Sequence, residues 1–174
     1  MIDATRWLLR ESGFGGTTID AIAARSGVAK TTIYRQWADR NDLLIDAFVF
    51  NADLINFPVT DDLRADVSHG LRSLAKELTS SEWTPLMPAM LEASERDDEF
   101  EKLIRVFMDS RRKPLKDRLA IAVKRGEIAK SPDIETVISL LVGPLFYRRL
   151  IARQPISRAF VDEVVESVIG NQLA

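Results

Sequence analysis

The stretch from Thr17 to Leu44 decides the fold, and it reads TTIDAIAARSGVAKTTIYRQWADRNDLL. Two short segments with helical periodicity flank a break at Ser26-Gly27. Such a pair of helices suits DNA, because the first can lie across the backbone while the second presents its N-terminal half to base edges in the major groove. We expect a small set of apolar side chains to lock the two helices together: Ile22, Ala23, Val28 and Ile33.

The second helix of this pair, predicted from about Ala29 to Gln36, leaves a polar outer surface. The local charge favours DNA, since four basic side chains between Arg25 and Arg40 oppose only Asp39, whereas residues 51–110 hold thirteen acidic and six basic side chains. Similar patterns also occur in helical proteins that never bind DNA, so the pattern alone leaves both interpretations open. The polar residues that can hydrogen-bond to phosphates and base edges are Lys30, Thr31, Thr32, Tyr34, Arg35 and Gln36.

Helical periodicity continues through the rest of the chain, and no segment shows convincing strand alternation. The sequence therefore predicts an all-α fold, with a three-helix helix-turn-helix DNA-binding domain at 1–50 and a helical regulatory and dimerisation domain at 51–174. Pro114 is expected to kink or divide a long helix. The helices predicted beyond residue 58 cover about 63–78, 85–93, 97–124, 133–151 and 157–169.

Composition argues against several other classes of protein. The chain has no cysteine, which removes disulfides, thiolate zinc sites and cysteine nucleophiles and is compatible with a reducing compartment. No apolar run is long enough to cross a bilayer, and the first residues lack the pattern of a signal peptide, so we expect a cytoplasmic protein without a membrane partner.

Enzyme chemistry finds little support in the sequence. His69 is the single histidine and lies off the apolar stripe of its predicted helix, where a solvated position is the ordinary interpretation. The acidic run from Glu92 to Glu101 is typical of a solvated helix start rather than of a cation site. We therefore expect no catalytic site, no metal and no cofactor.

The stretch quoted above resembles the DNA-binding domain of the TetR family of bacterial regulators. More loosely, Arg125-Gly126-Glu127-Ile128 and the segment Gly143 to Arg148 resemble the C-terminal part of one TetR subgroup. The features of the first 50 residues that fall at the family's spacing are Gly13-Phe14, the double threonine Thr17-Thr18, Ile22-Ala23, Ser26-Gly27-Val28, Lys30, Ile33-Tyr34-Arg35, Trp37 and Asp42-Leu43-Leu44.

The resemblance implies particular roles for these residues. Lys30, Thr31 and Tyr34 would lie at the floor or edge of the groove. Ala29 departs from the family's usual serine and so removes a side-chain cap that normally contributes about 1 kcal/mol. The sequence also starts at its first helix, without the basic arm that many relatives carry ahead of it, so we expect either a trimmed chain or binding with fewer phosphate contacts. The residues implied to contact phosphates are Thr17, Thr18, Thr32, Gln36 and Arg40.

Two further sites are predicted in the regulatory part. A group of methionine and aromatic side chains can be ordinary core, or it can form a cavity for an apolar small-molecule effector. The last helix carries more apolar surface than one neighbour can cover, which predicts a homodimer built on the last two helices. The ligand-binding residues are predicted to be Trp83, Met87, Met90, Ile104, Phe107 and Met108, and the dimer-interface residues Leu145, Arg149, Phe160, Val164 and Val168.

These expectations combine into a ligand-responsive transcriptional regulator of double-stranded DNA. We expect a repressor that releases a palindromic operator when a small apolar effector binds. Two alternatives remain at this stage: a helical ligand-binding protein whose DNA-binding domain has degenerated, and an enzyme on a helical scaffold. The second needs two convergent titratable side chains in a pocket, and the sequence offers no obvious pair.

Overall fold

The computed structural model describes residues 1–49, 55–80, 83–128 and 133–170. Every regular element in these ranges is helical, which confirms the predicted all-α class. In chain order they are α1 (Ile2–Gly16), α2 (Ile19–Ser26), α3 (Lys30–Gln36), α4 (Arg40–Val49), α5 (Leu63–Leu78), α6 (Trp83–Ser94), α7 (Asp98–Arg125), α8 (Ile134–Phe146), a π-helical turn (Tyr147–Ile151) and α9 (Arg158–Ile169).

The chain forms two compact units. The N-terminal unit comprises Met1–Asp53 and Ser81–Asp109, and the C-terminal unit comprises Leu54–Ser80 and Ser110–Ala174. The predicted boundary near residue 50 does not anticipate that α6 and the first part of α7 pack with the N-terminal helices. As a division of function, that boundary remains a prediction.

Helix starts follow the capping residues that the sequence offers. The Thr18 Oγ1 accepts a hydrogen bond from the Ala21 N–H at 3.1 Å and so caps α2. Asp133 and Ser157 cap α8 and α9 in the same way, which confirms the predicted starts of both helices. α3 has Ala29 in this position and no side-chain cap.

A cluster of apolar side chains holds the first four helices together. Leu8, Ile22, Ile33 and Leu43 are buried in it, and Ala23 and Val28 pack against its edge. The predicted lock between the two helices of the Thr17–Leu44 stretch is therefore confirmed.

A second cluster in the same unit joins α1 and α4 to α6 and α7. Leu9 and Leu44 meet the α6 residue Met90 and the α7 residues Phe100 and Phe107 in it. Burial of large side chains of this kind contributes about 1.5–3 kcal/mol each. α6 and the start of α7 are therefore part of the core on which the N-terminal helices rest.

In the C-terminal unit, α5 packs against α8 and α9. α5 turns Leu63, Val67, Leu71 and Leu78 inward, as its periodicity predicts, while Leu74 is half-buried. None of the helices that the structure describes combines the length and the hydropathy that a bilayer crossing requires.

Two prolines lie inside helices with different results. Pro114 does not divide α7, which runs from Asp98 to Arg125. As a proline it cannot donate the helical hydrogen bond to the carbonyl of Ser110. Ser110 is also the residue at which the C-terminal unit resumes. Pro144 lies near the end of α8, and the helix predicted to run to Ile151 changes there into the π-helical turn. In this turn the Ala152 N–H donates to the Tyr147 carbonyl, five residues earlier, at 2.9 Å.

Candidate nucleic-acid interface

The outer face of α3 is polar and open to solvent. Ile33 is fully buried and fastens the helix to the N-terminal core, whereas Tyr34 is 54% exposed. The remaining predicted contact residues Lys30, Thr31, Arg35 and Gln36 are also exposed, and Thr32 is half-buried. The structure therefore brings these six side chains together on one short helix.

A tight turn sets the position of α3 relative to α2. Gly27 has a φ of +69°, a left-handed conformation that residues with a side chain rarely adopt. Its N–H donates to the Ala23 carbonyl at 3.0 Å and closes α2. The turn leaves only Val28 and Ala29 before α3 begins, so the two helices are held in a fixed relation.

Lys30 begins α3 and is bonded to a residue of α2. Its ammonium group donates to the carboxylate of Asp20, and both side chains remain more than half exposed. The hydrogen bond to Asp20, together with its negative charge, raises the pKa of Lys30 above the ordinary value. Lys30 is therefore fully protonated at neutral pH.

Two residues predicted to contact phosphates, Thr17 and Arg40, face inward instead. Thr17 is fully buried, and its hydroxyl donates to the Gly13 carbonyl at 2.7 Å, so it is not available to a phosphate. Thr18 is exposed and keeps the predicted position at the start of α2, with its hydroxyl engaged in the cap.

Arg40 is the second inward-facing residue. Its Nε donates to the Thr17 carbonyl at 2.8 Å, its Nη2 donates to the Phe14 carbonyl, and its guanidinium carbon lies 4.0 Å from the centre of the Phe14 ring. Burial lowers the pKa of Arg40, but an arginine remains charged at neutral pH. Arg40 thus ties the start of α4 to the end of α1, and its predicted role as a phosphate contact is corrected to a structural one.

The predicted ligand-binding residues form part of the N-terminal unit's core. Met90, Ile104 and Phe107 are buried with Leu9 and Leu44, and Met108 packs against this cluster. Met87 is also buried, and the side chain of Trp83 lies outside the part of the chain that the structure describes. The structure thus shows that α1, α4, α6 and α7 share the cluster to which most of these residues belong.

Two of the predicted dimer-interface residues are buried within a single chain, and the other three are half-buried. Leu145 is fully buried and Val164 is 8% exposed within a single chain, so neither is available to a second copy. Arg149 donates from Nε to the Leu78 carbonyl at 3.2 Å. The guanidinium carbon of Arg148 lies 4.1 Å from the centre of the Phe160 ring, and Val168 is half-buried.

A different set of apolar residues faces solvent at this end of the chain. Leu140, Tyr147 and Ile151 are 52%, 62% and 70% exposed. Gly143 is exposed as well, and the spacing of three or four residues places all four along one side of α8 and its π-helical turn. We call this set the α8 apolar face. None of its residues is among those predicted for the dimer interface.

A buried ion-pair cluster in the C-terminal unit escaped the sequence analysis. The Arg118 side chain is fully buried, and its Nε donates to the Asp66 carboxylate at 2.7 Å while its Nη2 donates to Glu127 at 2.9 Å. The Asp66 carboxylate also accepts from the Thr60 hydroxyl at 2.7 Å and from the Thr60 N–H at 2.9 Å. Burial alone raises the pKa of Asp66, but the hydrogen bonds from Thr60 and Arg118 outweigh it and hold the pKa below the ordinary value.

The same cluster explains the Arg125-Gly126-Glu127 motif. Gly126 has a φ of +71°, which reverses the chain after α7 and returns Glu127 to Arg118. Arg125 donates to the Thr60 carbonyl at 2.9 Å. The motif thus fastens the segment before α5 to the end of α7.

Other sites considered from the sequence have no support in the described residues. His69 is exposed on α5. Across the described ranges, no group of three or more histidine and acidic side chains is placed to hold a metal ion.

These observations define an all-helical helix-turn-helix protein with a second helical unit. Residues 1–47 match the family described as bacterial regulatory proteins, tetR family, and residues 57–168 match the one described as tetracyclin repressor-like, C-terminal domain. The chain belongs to the TetR family, and it is a DNA-binding transcriptional regulator with a C-terminal domain of the ligand-binding type.

Three similar proteins illustrate the relationship. The HTH-type transcriptional regulator YdeS of Bacillus subtilis is 33% identical over 95% of this chain and 84% of its own length. The DNA-binding transcriptional repressor TetR of Mycobacteroides abscessus is 28% identical over 95% of this chain and 87% of its own. The crystal structure of the TetR family transcription regulator SCO0332 superposes with a TM-score of 0.77 at 27% identity, covering 99% of this chain and 96% of that one. These relatives are regulators and not enzymes.

Proposed function

We propose that this regulator is a cytoplasmic repressor that binds a palindromic operator as a homodimer and releases it when a small apolar effector binds. The observation that carries the DNA-binding part of the proposal is the exposed polar face of α3, on a helix-turn-helix in which Ile22 and Ile33 are fully buried. Similarity to a relative described as a transcriptional repressor supports the sign of regulation. Two copies related by a two-fold axis would place their α3 helices about 34 Å apart, in successive major grooves.

The DNA-binding part of the proposal predicts a loss of binding for two substitutions on α3. Lys30→Ala should weaken binding to operator and random duplex alike and reduce the salt slope by about 0.9, because one phosphate contact is lost. Tyr34→Ala should weaken operator binding by about tenfold, since its exposed ring lies where base edges are read. Fluorescence anisotropy with labelled duplexes over a series of salt concentrations measures both effects.

Lys76→Ala is the matched control, because Lys76 is an exposed lysine on α5 in the C-terminal unit. It should leave the affinity and the salt slope unchanged. If wild-type protein failed to shift a pool of random duplexes even at low salt, the alternative of a degenerate DNA-binding domain would take the place of the proposal. The absent cap at Ala29 is the structural observation that favours this alternative.

The effector-binding part of the proposal rests on the cluster that Met90, Ile104 and Phe107 share with Leu9 and Leu44. Methionine and aromatic side chains repack around different shapes at low cost, so an apolar ligand can displace them. Any such displacement acts directly on α1 and α4, the helices that support the helix-turn-helix. A hundredfold loss of DNA affinity requires about 2.7 kcal/mol of coupling, which a buried apolar ligand can supply.

The site of the effector is testable with the apolar probe N-phenyl-1-naphthylamine. Met90→Ala removes a fully buried side chain from the cluster and opens volume that a ligand can occupy, so it should tighten probe binding by about fivefold or more. Leu91→Ala, at the exposed neighbouring position of α6, should leave the dissociation constant unchanged. Equal probe binding by wild type and both variants would show that the cluster is core alone.

A further inference from the structure

Asp20 is an exposed acidic residue in the helix-turn-helix itself. It lies in the first turn of α2, where the helix dipole favours a negative charge. Its carboxylate bonds the ammonium group of Lys30, and the two side chains are 70% and 55% exposed. An ion pair so open to solvent contributes little to stability and exchanges readily with other partners.

The position of Lys30 favours its pairing with Asp20 in the free protein. Lys30 is the first residue of α3, and a positive charge at this position is disfavoured by the helix dipole. Ala29 offers no side-chain cap to offset this. Asp20 supplies the missing negative charge from the neighbouring helix, so the pair stabilises the start of α3 when no DNA is bound.

The same pair changes the charge that α2 and α3 present. The charged side chains on these two helices are Asp20, Arg25, Lys30 and Arg35. Arg25 lies with its guanidinium carbon 3.3 Å from the centre of the Trp7 ring. Asp20 neutralises one of three positive charges and adds a carboxylate that repels phosphates close to Lys30.

We propose that Asp20 limits DNA affinity, because it holds Lys30 in the free protein and Lys30 must leave it before contacting a phosphate. The inference rests on the proposed DNA-binding function. The pairing energy lost when Lys30 leaves Asp20 is a property of the free protein, so it is the same for operator and random DNA. On random DNA only phosphate contacts are available, and in part of these complexes Lys30 stays with Asp20.

The test compares Asp20→Asn with wild type on two duplexes, a pool of random sequence and a genomic fragment selected by wild-type protein. Asparagine keeps the size of the side chain and removes its charge. Affinity for the selected fragment should rise by about threefold to tenfold, because Lys30 no longer has to leave Asp20 before it neutralises a phosphate. Affinity for random duplex should rise by the same factor or less.

Glu95→Gln is the matched control, since it removes one exposed acidic charge from the turn after α6 in the same unit. It should change both affinities by less than twofold. Asp20→Glu, which keeps the charge, should restore the wild-type affinities. In a Lys30→Met background, Asp20→Asn should have no more effect than Glu95→Gln, because the lysine that it releases is absent.

The outcomes separate the inference from the proposed function. If wild-type protein binds DNA while Asp20→Asn leaves both affinities unchanged, the inference is wrong and the proposed function stands. The inference is also wrong if Asp20→Asn and Glu95→Gln have equal effects. If no variant binds any duplex and circular dichroism shows folded protein, both are wrong.

Discussion

Arg118→Met is expected to reduce the free energy of unfolding of the C-terminal unit by about 3–5 kcal/mol. The substitution removes the positive charge that the buried Asp66 carboxylate and the half-buried Glu127 face. Removing one partner of a buried ion pair leaves the other charge uncompensated, and its desolvation is then no longer offset. Hydrogen exchange of peptides from 55–80 and 110–128 measures the effect within this unit.

Lys113→Met is the control for this measurement, because Lys113 lies on the same helix but is 70% exposed. Its loss should cost less than about 1 kcal/mol. Equal protection from hydrogen exchange in Arg118→Met and Lys113→Met would mean that the Arg118 cluster contributes nothing to stability.

The difference between wild type and Arg118→Met should also depend on pH. The pKa of Asp66 is lowered in the folded protein, so its contribution is present above the ordinary pKa of about 3.9 and is lost as the pH falls through the lower, folded value. In the variant this carboxylate keeps its hydrogen bonds from Thr60 but lacks its positively charged partner, so it is neutralised more easily. The gap in stability should therefore be widest near neutral pH and should narrow below about pH 4.

The second large effect is expected from the α8 apolar face. Tyr147→Glu or Leu140→Glu should convert the proposed dimer into monomers at micromolar concentration, because a carboxylate would be buried without a partner in the interface. Affinity for a palindromic operator should then fall at least about a hundredfold, since each monomer reaches one half-site only. Sedimentation velocity measures the first effect and fluorescence anisotropy the second.

Two comparisons make this result specific. Lys113→Glu places a new acidic charge on the exposed surface of α7 and should leave the dimer intact. Val164→Glu should unfold the C-terminal unit instead of splitting a dimer, because Val164 is already buried within its own chain. A wild-type protein that sediments as a monomer would contradict the dimer and, with it, the palindromic operator.

The helix-turn-helix could be predicted from the sequence because its signals are local. The lock between Ile22 and Ile33 follows from helical periodicity and the glycine turn. The inward roles of Thr17 and Arg40 could not be predicted, because they depend on how α1 and α4 meet. The pattern of polar residues alone does not distinguish an arginine that bonds backbone carbonyls from one that faces a phosphate.

The C-terminal half shows the same limit more clearly. Periodicity identifies α9 as apolar over much of its circumference, but it does not tell which apolar positions the chain itself covers. Leu145 and Val164 were therefore predicted for the interface, while Leu140 and Tyr147 were not. Arg118 and Asp66 are 52 residues apart in the chain, and only the three-dimensional structure shows that they form a pair.

The shared core of α1, α4, α6 and α7 has a consequence for hybrid regulators made by exchanging DNA readers between relatives. A crossover at residue 50 separates Leu9 and Leu44 from the Met90 and Phe100 side chains that cover them. The incoming reader would bring an apolar underside shaped for its own donor's α6 and α7. In this protein the transferable cassette is therefore discontinuous in sequence, because the first 50 residues are completed by a segment that follows them by more than thirty positions.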